Sequence, residues 1–113
     1  MRLPIILLTS FLSALVIADA SKAATTMPKM PAVLARIAQC ETRTNWRHST
    51  RDYATAFGIY RGAWADYRRY APGAPVRPED ATPAQQVAVA LAIVQRVGYR
   101  AWACYRKYAW VRG

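Results

Sequence analysis

Apolar residues recur at helical spacing in three stretches of this chain and lose that period between them. In the first, Pro31 precedes Val33, Leu34, Ile37, Ala38 and Cys40. Proline suits the first turn of a helix, where its missing N–H costs nothing, and the spacing predicts about three helical turns. Cys40 falls on the apolar stripe of that helix, and Glu41 lies one position round, at its edge. The second stretch runs from about Arg61 to Tyr70, with Trp64 and Tyr67 on one side. The third opens with Thr82-Pro83-Ala84-Gln85, a capping box with proline at the first helical position. Val87, Leu91, Val94 and Val97 recur on one face, Ala88 and Ala90 lie beside them, and Gly98 is the expected stop. This stretch is predicted to be the central core helix.

The segments between are equally readable. Thr42 to Thr55 is polar and irregular, a loop with room for a short hairpin. Ala54 to Tyr60 is apolar but broken by Gly58, which suggests a positive φ or a close backbone approach there. Pro72, Gly73, Pro75 and Pro78 make a stiff loop. Tyr99 to Cys104 reads as a short helix or turn that brings Cys104 back to the first helix, and Tyr105 to Gly113 as a basic-aromatic tail. There is no internal repeat. The expected fold is a small, mainly α domain.

The N-terminus changes the compartment. Arg2 is followed by an apolar run from Leu3 to Ala18, too short to span a bilayer comfortably, and Ala18-Asp19-Ala20 fits a small-x-small cleavage site. Residues 1–20 are therefore expected to be a signal peptide, with 24 as the alternative end. Residues 21–31 follow as a flexible lead-in, and 32–113 as one domain. No cysteine follows the apolar run to carry a lipid. The expected product is secreted, with no stable membrane insertion after cleavage. Export reaches an oxidising compartment, where a bond between Cys40 and Cys104, the only cysteines, would persist. It would close a loop of about 65 residues, worth about 4 kcal/mol in the chain-entropy model. The alternative is two buried free thiols.

The 113-residue chain carries a formal net charge of +10, which loss of Arg2 and Asp19 leaves unchanged. Such a charge suits steering toward a polyanionic cell wall. Export and the lack of any nucleic-acid motif speak against nucleic acid. Membrane disruption would need a basic amphipathic helix. The Pro83–Val97 helix carries only Arg96, so that reading would rest on the tail. One histidine and two cysteines do not make a metal site.

Glu41 is the candidate chemistry. Cleaving a glycosidic bond needs a proton for the leaving oxygen, and burial can raise a carboxyl toward the working pH. Arg43 and Arg47 would act the other way if they point at it. The structural alternative is that Glu41 only neutralises nearby arginines. A second carboxylate serves most glycosidases, and Asp52 leads Asp66, Glu79 and Asp80 because it lies in the loop after Glu41. A one-acid route is equally open: the same Glu gives the proton, then takes one from the substrate's own 6-hydroxyl, leaving an anhydro sugar. Ser49 is a poorly placed partner for His48, which is set aside as a catalytic base. Asn45, Trp46, Gly58 and Tyr60 are the candidate substrate-binding residues, with Tyr53 and Trp64 as further aromatics. Trp102 is expected in the core.

Taken together, Ile37-Ala38-Gln39-Cys40-Glu41-x-x-x-Asn45-Trp46, Phe57-Gly58-Ile59, Trp64, Ala84-Gln85-Gln86-Val87-Ala88 and Gly98-Tyr99-Arg100-Ala101-Trp102-x-Cys104 resemble the catalytic domain of resuscitation-promoting factors. These are small transglycosylase-like proteins of lysozyme-like fold, secreted by actinobacteria. The resemblance covers about Val33 to Tyr105. It implies a small lysozyme-like α+β domain, a Cys40–Cys104 disulfide, and Glu41 as catalytic acid in a cleft for the glycan strands of peptidoglycan. The further expectations are no cofactor, a cell-wall location, a monomer, and a cell-wall hydrolase as a second candidate partner. Two departures stand out. The family usually has Ser-Gly-Gly after the acid, where this chain has Thr42-Arg43-Thr44, and its cleft Gln is replaced here by Tyr60.

Overall fold

The computed structural model describes residues 27–113. The expected signal peptide and most of the lead-in lie outside the described residues. The described chain is mostly helical with one small antiparallel hairpin and one disulfide.

Helix α1, Ala32–Thr42, begins directly after Pro31 and buries Leu34, Ile37 and Ala38 completely. It ends on two consecutive residues of positive φ, Arg43 at 58° and Thr44 at 55°. Their N–H groups return to the carbonyls of Gln39 and Ala38, at 3.0 Å each, and so satisfy the helix's open C-terminal end. These are the two positions at which the resembled family carries glycine. Here side chains bear a conformation that L residues adopt at a cost.

Strand β1, Tyr53–Ala54, pairs with β2, Ile59–Tyr60, in the register Tyr53 to Tyr60 and Ala54 to Ile59. The hairpin therefore straddles the end of the polar loop and the apolar segment. Its four-residue turn needs positive φ at Thr55 (76°) and at Gly58 (57°). Helix α2, Arg61–Tyr67, follows and continues as a 3-10 turn, Arg68–Tyr70. Trp64 is buried in the core and donates from Nε1 to the Pro75 carbonyl at 3.0 Å, which ties the proline-rich loop down.

Helix α3, Pro83–Val97, starts with the predicted capping box in full: Thr82 Oγ1 accepts from the Gln85 N–H, and Gln85 Oε1 accepts from the Thr82 N–H. Its buried face differs from the predicted one. Gln86, Val87, Val89, Ala90, Ala92 and Ile93 are buried, Leu91 and Val94 are half-buried, and Val97 is exposed. The core side is chosen by the small alanines and by a buried amide, not by the largest side chains. Gln86 Nε2 donates to the carbonyls of Trp46 (2.9 Å) and Ala81 (3.2 Å), while its Oε1 accepts from the Ala56 N–H (3.0 Å). One side chain thus joins α3 to the polar loop and to the hairpin turn.

A 3-10 turn, Tyr99–Ala101, leads into α4, Ala103–Lys107, and α5, Ala109–Arg112. The last segment is not a free tail. Val111 is fully buried, and the Arg36 Nε on α1 donates to its carbonyl at 3.0 Å.

Candidate functional site

Three tethers place Glu41. The Cys40–Cys104 disulfide, with Cα atoms 6.2 Å apart, fixes the end of α1 to α4. Thr42 Oγ1 donates to the Ala56 carbonyl at 2.7 Å and accepts from the Asn45 N–H at 2.9 Å, which holds the hairpin turn against the end of α1. The Trp102 Nε1 donates to the Phe57 carbonyl at 2.9 Å and closes the same turn from the other side. The result is a close approach at Gly58, where a Cβ would lie 3.6 Å from both Cβ and Oε1 of Glu41. The apolar segment's glycine is therefore a place where the backbone passes close to the acid.

Glu41 is half-buried, and its Oε2 accepts from the Cys104 N–H at 3.3 Å. Burial is the largest influence on its carboxyl and raises its pKa above the usual value. The Cys104 N–H, the charges of Arg106 and Lys107 and, last, nearby His48 oppose that rise without cancelling it. The cations that face the acid thus come mainly from α4. Arg43 and Arg47, the two arginines suspected from sequence, are exposed and do not act on it.

Glu41 forms part of the wall of two cavities. One, of about 340 Å³, runs past His48, Thr50, Tyr53, Gly58, Trp102 and Arg106. It shares Tyr53, Gly58, Ala101 and Trp102 with a further cavity of about 220 Å³ that extends along Ile59, Tyr60 and Ala63. The other, of about 410 Å³, lies against the disulfide, Lys107, Tyr108 and Trp110. Glu41 and Ala103 are common to the walls of both of these cavities. A carboxyl so placed, held toward its neutral form by burial, can hand a proton to an oxygen lying across it.

The structure brings together some of the sequence candidates and separates others. Gly58 lies beside Glu41, and Tyr60 is exposed on the wall of the 220 Å³ cavity, edge-on to Tyr53 with ring centroids 5.8 Å apart. Asn45 is used locally: its N–H is held by Thr42, and its Oδ1 accepts from the Arg47 N–H at 2.9 Å. Trp46 is half-buried, packed edge-on against Phe57. Neither borders these three cavities. Asp52 has a side chain 62% exposed, 4.0 Å from the Arg51 guanidinium, and also stands outside them. Glu79 is engaged elsewhere. It pairs with Arg61 and accepts from Ser49 Oγ at 2.7 Å, which brings its carboxyl down to about 2. Arg61 in turn donates to the Thr50 and Arg51 carbonyls, so the pair braces the loop that carries His48 and Thr50 to the cavity.

Sequence reasoning missed Arg106, Lys107 and the cavity-lining role of Trp102, which is also core. The signal was present: once Cys104 is tied beside Glu41, the residues just after Cys104 must be its neighbours.

A family model described as a transglycosylase-like domain matches residues 30–105. The match takes in α1, the hairpin, α3 and the start of α4. No curated protein and no solved structure matches the chain.

Proposed function

The chain belongs to the transglycosylase-like domain family, and from that membership we propose that it is a secreted enzyme that cleaves the glycan strands of peptidoglycan. Family membership supports action on peptidoglycan in general; the proton chemistry is our own reading. Glu41 is the general acid. Its neutral form, favoured by burial, protonates the glycosidic oxygen as the bond to the sugar's C1 breaks. The resulting carboxylate then takes the proton of the substrate's 6-hydroxyl while O6 bonds to C1. The products are a free 4-hydroxyl end and a 1,6-anhydro sugar, and Glu41 is protonated again for the next cycle. No water and no second carboxylate is consumed.

The observation that carries this one-acid route is the lining of the groove. Among the described residues, Glu41 is the single acid bordering the two cavities it lines or the third that adjoins the first of them. Arg106, Lys107 and His48 stabilise the carboxylate that must form midway, without pulling the resting group out of its raised range. Gly58 and Tyr60 belong to the substrate-binding wall. Asn45 supports the turn behind it, and Trp46 packs behind Phe57. The protein acts as a monomer at the cell wall, and its positive charge draws it to that polyanion.

Paired variants test the assignment. Glu41→Gln keeps size and hydrogen-bonding shape but cannot give up a proton. It should lose about 10²- to 10⁴-fold in the rate of soluble fragment release from purified peptidoglycan. Asp52→Asn should stay within about threefold of the parent. Full activity in Glu41→Gln would defeat the proposal. Equal losses in both variants would instead favour a two-carboxylate hydrolase.

A further inference from the structure

Residues 106–113 lie beyond the family match, yet Lys107, Tyr108 and Trp110 supply part of the wall of one of the two cavities that Glu41 borders. Trp110 is 53% exposed and Tyr108 47% exposed. Both border that cavity, as do Lys107 and the acid. Exposed aromatics at a chain end usually signify little, but this end is held in place. Val111 is fully buried, Arg36 grips its carbonyl, and the Arg112 Nη1 donates to the carbonyls of Tyr105 (2.7 Å) and Arg106 (3.2 Å). A buried valine, Arg112 and Arg36 from α1 together hold an indole and a phenol in solvent. Such a surface offers flat apolar faces with polar edges, and a cation beside them.

We propose that Lys107, Tyr108 and Trp110 form a second substrate wall, in the other cavity that Glu41 borders, that takes the next sugar of the same strand. A sugar ring lies on the indole and phenol faces, and its acidic substituent faces the Lys107 ammonium. The occupant follows from continuity, since Glu41 is common to both cavities and a polymer cut at Glu41 must continue past it in both directions. The inference rests on the glycan-cleaving reading above and adds to it a specificity for acid-bearing strands.

Mature, oxidised protein carrying Glu41→Gln is titrated with a soluble tetrasaccharide of alternating N-acetylglucosamine and N-acetylmuramic acid, and separately with neutral chitotetraose. Adding Trp110→Ala should weaken binding of both about tenfold. Trp110→Phe should restore most of it, and the thermal midpoint should not move. Adding Lys107→Gln should weaken only the acid-bearing probe, about threefold to tenfold. Unchanged affinity for both probes in Trp110→Ala would overturn the inference. So would a concentration-dependent dimer that Trp110→Ala abolishes, because a second copy would then be the occupant. Cleavage by protein with Glu41 intact is scored in parallel. Cleavage with Trp110-independent binding and KM removes the second wall and leaves the enzyme. Trp110-dependent binding without cleavage removes the enzyme and leaves the wall.

Discussion

At the scale of single residues, the account turns on how one carboxyl is kept ready to give up a proton. Burial raises Glu41, and the charges of α4 hold the rise in check. If neutral Glu41 is the working form, activity should fall as pH climbs through its raised pKa. Arg106→Met removes a charge that favours the carboxylate, so that alkaline limb should move to higher pH in a pH–rate profile. A limb that stays put or moves down would contradict the assignment. The same group sets a sign for stability. Its folded pKa is raised, so its contribution is fully present below the unfolded value and is lost as pH rises through the folded one. Glu41→Gln escapes that loss and should gain stability relative to the parent as pH rises. A second residue-scale prediction concerns Arg43, at φ 58° and exposed. Arg43→Gly relieves a left-handed backbone and should raise stability by about 0.5–1 kcal/mol in urea denaturation. At this scale much was legible. The edge position of Glu41 and the close approach at Gly58 follow from periodicity and from glycine's lack of a Cβ. The influence of Arg106 and Lys107 was not legible, because it depends on where a distant segment returns.

The elements show where periodicity carries an argument and where it stops. All three predicted helices form, and α3 has the capping box read from Thr82 to Gln85. The facing of α3 was not legible. Val87 to Val94 is apolar nearly all round, so the pattern cannot choose a side. What chooses it is Gln86, a polar residue that is 2% exposed and makes three hydrogen bonds to three other segments. Gln86→Leu keeps the volume but leaves the Ala56 N–H and the Trp46 and Ala81 carbonyls without that partner. It should cost about 2–4 kcal/mol of stability. Because Ala56 also receives the Thr42 hydroxyl, the hairpin turn should loosen beside Glu41, and activity should fall below what partial unfolding explains. A cost under about 1 kcal/mol in urea denaturation would show that Gln86 is not the joint described here. The C-terminal segment was read as a tail because basic and aromatic residues hide its one anchor, Val111.

For the molecule as a whole, the disulfide and the charge carry the remaining weight. The Cys40–Cys104 bond spans a sequence separation of 64, in a domain too small to bury a large core. Cys40→Ala with Cys104→Ala should lower stability by about 4 kcal/mol, read from urea midpoints. It should also lower activity in conditions where the variant stays folded, since the bond sets the Cys104 N–H against the Glu41 carboxyl. An equally active double variant would detach the bond from the site. The small α+β class, the disulfide and the family were all within reach of the sequence, because spaced motifs encode them together. The second cavity at Glu41 was not, since it exists only once the C-terminal segment returns to α1.

The most direct test of the central claim, one acid acting alone, is mass spectrometry of purified peptidoglycan after incubation with the mature, oxidised protein, beside its Glu41→Gln variant. The account predicts 1,6-anhydro-ended fragments from the parent and none from the variant. Reducing-end fragments from the parent, or anhydro ends that persist in Glu41→Gln, would contradict it.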